Sequence, residues 1–161
     1  VEELSRELKT WTIILRASQA IQDIIRRDVA CYGLNPTEFS VLELLYHRGE
    51  QPIQTIGKKT LISSGSTTYV VDKLEDKKYL KRTASPEDRR VIYAALTETG
   101  QELMERIFPP HEALIQEVFE ELSEEEQLTV QELMKKIGYR AKDLSKNCPK
   151  PKEKNGGIDH E

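Results

Sequence analysis

A chain of 161 residues with 37% apolar and 32% charged side chains has room for one compact domain, or one domain with a helical extension, and most of its charge belongs on helix faces. No stretch approaches the roughly 18 consecutive apolar residues of a membrane span, and Val1-Glu2-Glu3 begins no signal peptide, so the sequence predicts a soluble cytoplasmic protein with no membrane partner. The net charge of −4 is unevenly spread: residues 51–96 carry +4 and residues 97–144 carry −7, while 1–50 carry −2 and the remainder +1. Basic charge concentrated in one segment is the footprint expected where a chain meets a polyanion.

The first predicted element is a long helix. Leu4, Leu8, Trp11, Leu15, Ile21, Ile24 and Ile25 recur at helical spacing around the small Ser18, and Tyr32-Gly33 ends the run. Asn35-Pro36-Thr37-Glu38 then starts a second helix: Asn35 can accept from exposed amides, Pro36 suits the first helical position and Glu38 can reach back to the cap. Phe39, Val41, Leu42, Leu44 and Leu45 make it a core element that ends near His47-Arg48-Gly49. Pro52 permits a very short strand before a third helix from Ile53 to Lys59.

The fourth helix is predicted from Ser63 or Ser64 to about Lys78, with Val70, Val71 and Leu74 inward. Ser63, Ser64, Ser66, Thr67 and Thr68 crowd its start, more hydroxyls than one cap requires. Small donors and acceptors that allow close approach to duplex DNA account for the surplus, although any one of them could instead pack inward. Leu80–Ala84 and Val91–Leu96 read as a hairpin around the polar Ser85-Pro86-Glu87-Asp88-Arg89-Arg90. Thr97 can cap a fifth helix, which Pro109-Pro110 should bend or interrupt before Leu114 to Leu122. Ser123-Glu124-Glu125-Glu126 is a capping box for a sixth helix carrying Leu128, Leu133, Ile137 and Leu144. The tail from Cys148 to Glu161 has no apolar period and is predicted to be disordered.

Short helix, hydroxyl-rich helix and Arg-tipped hairpin, in that order, form a winged helix-turn-helix that docks on duplex DNA. The predicted fold is therefore mainly α with a small β wing, flanked by N- and C-terminal dimerisation helices. Its boundaries are 1–34 for the first dimerisation helix, 35–100 for the DNA-binding module, 101–146 for the C-terminal dimerisation helices and 147–161 for the tail. Apolar stripes outside the module are more than it can bury, so pairing between two copies is expected, with two reading helices on a palindromic site.

Leu34-Asn35-Pro36-Thr37-Glu38-Phe39, Val41-Leu42, Ile56-Gly57, Val70-Val71-Asp72-Lys73-Leu74-Glu75, Asp88-Arg89-Arg90 and Leu96-Thr97-Glu98-Thr99-Gly100 resemble, as an ordered set from about Leu8 to Leu144, the MarR family of bacterial transcription regulators. The resemblance implies a homodimer with interlocking outer helices on a promoter that is usually repressed, released by a small aromatic ligand or by thiol oxidation. Asn35-Pro36-Thr37-Glu38-Phe39 and Tyr69-Val70-Val71-Asp72-Lys73-Leu74-Glu75 are similar to a branch that answers hydroquinones and other phenols. It also implies that one wing arginine enters the minor groove while the other pairs with Asp88; Arg90 is assigned the pairing and Arg89 the groove. Its ligand pocket would lie between the dimer helices and the DNA module, where Trp11, Arg16, Tyr46 and His47 could line it, although an aromatic on a helix stripe is more often plain core.

The DNA-binding residues expected are thus Ser63, Ser64, Ser66, Thr67, Thr68, Lys73, Arg82, Asp88, Arg89 and Arg90. Lys73 and Arg82 are placed on phosphate, together with Lys58 and Lys59. Cys31 and Cys148 form no CxxC pair and His47, His111 and His160 are scattered, so no metal or other cofactor is expected. Cys31 could be a sensor thiol, the basis of an alternative redox-sensing repressor, or a small buried hydrophobe. A winged-helix protein-interaction module without DNA binding is the other competing class. An enzyme is not expected, because no phosphate loop or nucleophile elbow is present.

Overall fold

The computed structural model describes residues 5–60 and 64–146. Its elements are α1 (Arg6–Ala30), α2 (Pro36–Arg48), β1 (Gln51–Pro52), α3 (Ile53–Lys59), α4 (Ser64–Asp76), β2 (Leu80–Ala84), β3 (Ile92–Leu96), α5 (Glu98–Val118) and α6 (Glu124–Lys146). The fold is mainly α with a small antiparallel sheet in the order β1-β3-β2. The hairpin register runs from Leu80 opposite Leu96 to Ala84 opposite Ile92, and β1 covers the other side of β3. Two units divide the chain, residues 1–118 and 119–161.

The core of the first unit is one apolar cluster. Val29 of α1, Phe39, Val41, Leu42 and Leu45 of α2, Ile56 of α3 and Val70, Val71 and Leu74 of α4 meet Leu80, Ala94, Leu103, Met104 and Ile107. Leu44, expected in that core, is only half-buried. At the start of α2 the capping box closes as expected: the Glu38 amide donates to Asn35 Oδ1 at 2.8 Å and the Asn35 amide to Glu38 Oε2 at 3.0 Å.

Tertiary contacts then reuse the same residue. Lys77 Nζ donates to both carboxylate oxygens of Glu38 and to the Gly33 carbonyl, each at 2.9 Å, tying the end of α4 to the α1–α2 junction. His111 of α5 lies 2.6 Å from the Asp28 carboxylate through Nδ1 and packs against Phe39 with the rings tilted by 49°.

Three expectations about the extent of elements need revision. First, α4 stops at Asp76 rather than near Lys78, because Lys78 adopts φ +62°. The Lys78 amide then donates to the Glu75 carbonyl and the Tyr79 amide to the Leu74 carbonyl, which closes the end with a Schellman turn. Second, α5 runs without interruption through Pro109 and Pro110. The prolines and the residues four positions before them, Glu105 and Arg106, are all exposed, so water can reach the carbonyls that lose their partners. Third, the hairpin strand begins at Ile92, one residue after the expected Val91.

In the second unit, Ser123 and Glu126 form the expected capping box, with hydrogen bonds of 2.8 and 3.3 Å. Gln127 Nε2 donates to the carbonyls of Phe119 and Leu122, which fixes the turn before α6. No residue of α6 is buried, although it carries Leu128, Val130, Leu133, Met134, Ile137, Tyr139 and Leu144. Residues 147–161, expected to be disordered and including Cys148 and His160, lie outside the described residues.

Candidate nucleic-acid interface

The candidate reading surface starts from the phase of α4. Its buried positions are Thr67, Val70, Val71 and Leu74, a three-four spacing that presses one face on the core and turns Ser66, Thr68, Tyr69, Asp72 and Lys73 outward. Thr67 is 3% exposed, so this candidate for base contact faces the interior instead. Ser64 opens the helix, and Ser63 lies outside the described residues.

Tyr69 is 62% exposed, a large aromatic in the centre of the outward face that sequence reasoning had not placed among the readers. Lys73 Nζ lies 5.5 Å from the Tyr69 ring centroid, near enough for cation–π attraction that gathers phenol and ammonium into one feature. The signal available in the sequence was an aromatic directly after the hydroxyl run Ser66-Thr67-Thr68, one position ahead of the inward-facing Val70. Lys58 and Lys59 end α3 on the surface, with Lys59 Nζ donating to Gln51 Oε1 at 3.0 Å.

The wing places the other candidates. β2 and β3 carry the loop from Ser85 to Val91, closed by the Ser85 amide donating to the Val91 carbonyl at 2.9 Å. Arg90, not Arg89, embraces Asp88: Nε donates to Oδ1 at 3.0 Å and Nη2 to Oδ2 at 3.2 Å, and the Arg90 amide donates to Oδ1. The side-chain hydrogen bond from Arg90, then the backbone one, holds the Asp88 carboxyl below the usual carboxylate range. A depressed acid of this kind stays ionised at neutral pH, and the tip loses its brace only as pH falls through that lowered value. Arg89 is exposed at the same tip and makes no ion pair among the described residues.

Arg82 stands apart from these. Its guanidinium engages the carboxylates of Asp72 and Glu75 on α4, and it is only partly exposed. Burial lowers its pKa, but the hydrogen bonds to Asp72 and Glu75 outweigh that effect and the net shift is upward.

Between α2 and the end of α3 an open cleft of about 460 Å³ is lined by Ser40, Glu43, Leu44, His47, Arg48, Lys59 and Thr60. His47 packs edge-on against Phe108 with 4.6 Å between ring centroids, and Tyr46 stands 5.7 Å from Phe108. Trp11 and Arg16 are exposed on α1. Cys31 is exposed rather than buried, with Sγ donating to the Arg27 carbonyl. Among the described residues no cluster of His, Cys, Asp and Glu could hold a metal ion, and no helix is long and apolar enough to cross a membrane.

Known proteins share this arrangement. Residues 34–92 match the MarR family. The HTH-type transcriptional regulator MhqR of Bacillus subtilis is 52% identical over 137 residues, covering 85% of this chain and 94% of the relative. In structure, BpsR of Bordetella bronchiseptica, described for the regulation of its DNA binding by 6-hydroxynicotinic acid, superposes with TM-score 0.71 at 26% identity, over 81% of this chain and 98% of that one. A MarR family regulator of Streptomyces coelicolor, solved in complex with DNA, reaches TM-score 0.78 at 23% identity over 86% and 89% of the two chains. The chain therefore belongs to the MarR family, and it is a DNA-binding transcriptional regulator and not an enzyme.

Proposed function

We propose that the protein is a homodimeric repressor that holds a palindromic operator and leaves it when a small phenolic or quinone-like compound binds. The observation that carries this reading is the single outward face formed by Ser66, Thr68, Tyr69 and Lys73 beside a wing tipped by Arg89 and Arg90. Ser64, Ser66, Thr68 and Tyr69 read base edges or pack on them, Lys73 meets phosphate, and Arg89 enters the minor groove while Asp88 and Arg90 keep the tip rigid.

Dimerisation is supported by apolar surface that a monomer would leave in water. Trp11 is 55% exposed and Ile13 67%, and Leu8 and Leu15 lie on the same helix, while α6 adds its own uncovered apolar side chains. A two-fold pairing of such faces spaces two recognition helices by about one helical turn, roughly 34 Å.

The cleft between α2 and α3 has the size of a small-ligand site, since such sites typically occupy roughly 300–1,000 Å³. Leu44 offers an apolar wall and Ser40, His47, Arg48 and Lys59 offer hydrogen-bonding groups suited to a phenolic oxygen. Its position beside Thr60 sets it at the C-terminal end of α3, the helix that precedes α4 in the chain. The structural relative whose DNA binding responds to 6-hydroxynicotinic acid adds support for a small aromatic effector.

The test is binding of the purified protein to duplex DNA from its own promoter, titrated against salt and unrelated duplex, with and without a panel of phenols and quinones. Selective, salt-dependent binding by a dimer, abolished by a phenol, is the expected result. A folded protein that binds no duplex at low salt would redirect attention to the protein-interaction alternative. Release that required an oxidant and disappeared in Cys31→Ser would favour the thiol mechanism.

A further inference from the structure

Arg82 lies one register step from buried Leu80 on the same face of β2, whereas Lys81 points to the opposite, exposed face. Its strand partner is Ala94, so the residue sits in the body of the hairpin, well before the tip. From there the guanidinium spans Asp72 and Glu75, two carboxylates three positions apart on α4. Those carboxylates share the recognition helix with Lys73, and left alone they would repel a phosphate backbone. The forked geometry of arginine fits two acceptors at once, which an ammonium group cannot do.

We propose that Arg82 is a positioning residue, a clamp that fixes the wing against the recognition helix and masks Asp72 and Glu75 from DNA, and that it makes no phosphate contact. The trio makes the angle between reading helix and wing a property of the free protein. DNA then meets a preset surface, and less ordering is required on binding. Lys81, on the open face of the same strand, is the cation of β2 left to meet phosphate.

The DNA part of this inference rests on the duplex-binding reading above; the clamp itself is tested without DNA. In the free protein, Arg82→Gln should speed amide hydrogen exchange across residues 80–96, and unchanged exchange would overturn the clamp. On promoter duplex, Arg82→Gln should weaken binding about tenfold in the natural background but by less than about twofold in Asp72→Asn/Glu75→Gln, because its effect runs through those carboxylates. Equal losses in both backgrounds, with the salt dependence reduced by about one phosphate contact, would instead make Arg82 a backbone ligand. Arg82→Lys separates the two roles again and guards against a glutamine variant that does not fold. Lysine keeps the charge a phosphate needs but loses the fork, so binding should weaken as in Arg82→Gln; natural affinity in Arg82→Lys would sink the proposal. If the natural protein binds no duplex, the regulatory reading fails, and the exchange measurement still decides whether the clamp exists.

Discussion

The base and the tip of the wing are built on opposite terms. At the base, main chain is knit to main chain directly and through one hydroxyl: the Thr97 amide donates to the Tyr79 carbonyl at 3.1 Å, Thr97 Oγ1 donates to the Lys78 carbonyl at 2.6 Å, and the Gly100 amide donates back to Thr97 Oγ1 at 3.0 Å. At the tip, Asp88 and Arg90 hold the loop by side-chain contacts in open water, with Arg89 exposed between them. The base therefore sets where the wing points, and its substitutions should be read in stability. The tip sets what the wing touches, and its substitutions should be read in binding.

The sharpest way to break the base is Gly100→Ala. A Cβ on Gly100 would sit 1.9 Å from the Tyr79 carbonyl oxygen, a backbone atom with no rotamer to escape into. Glycine is required there for close approach and not for its φ. The substitution should cost about 3 kcal/mol or more of folding stability, measured by denaturant unfolding, because overpacked sites must shift backbone to relieve the clash. Stability within about 0.5 kcal/mol of the natural protein would mean that α5 docks differently on the hairpin.

The corresponding change at the tip is Arg89→Ala. It should weaken duplex binding by about 1–3 kcal/mol and leave the unfolding midpoint unaltered, since the side chain is exposed and braces nothing. A variant with intact folding and unchanged affinity would remove Arg89 from the groove and leave Arg90 as the arginine to test.

Much of the fold could be read in advance because its signals are local. Asn35 and Glu38 close their capping box over three residues, and Thr97 and Ser123 start helices by the same short-range chemistry. What could not be read depends on partners distant in sequence. Glu38 looked complete as a cap, yet Lys77 reaches it from 39 positions away, and His111 finds Asp28 across 83. The hydroxyl-rich start of α4 made it the candidate reading helix, but only its packing phase separated Thr67 from Ser66 and Thr68 and brought Tyr69 outward. Arg82 and its neighbouring wing cations are alike as letters in the sequence. The pleat of β2 and the two carboxylates on α4 make it different.

Within the base, Thr97→Val tests the hydroxyl alone. Valine keeps the branched shape and removes both the bond given to Lys78 and the one accepted from Gly100. Loss of a helix cap typically costs about 1 kcal/mol, so thermal unfolding should fall modestly, well short of the effect at Gly100. A loss as large as that of Gly100→Ala would mean that the hydroxyl carries the junction and the close approach does not.

The smallest effect expected has the opposite sign. Two helices in the first unit end with the same pair of hydrogen bonds: α1 through Gly33 at φ +71° and α4 through Lys78 at φ +62°. Gly33 suits a left-handed residue, whereas a side chain at Lys78 carries the strain of its Cβ in that region. The lysine carbonyl accepts from Thr97 whatever its side chain, so glycine would preserve the junction while relieving the strain. Lys78→Gly should therefore stabilise the protein by roughly 0.5–1 kcal/mol despite the greater freedom it gives the unfolded chain, because left-handed caps prefer glycine. Destabilisation would show that the Lys78 side chain contributes more to the end of α4 than its backbone costs. The base of the wing would then depend on the Lys78 side chain as well as on the Thr97 hydroxyl.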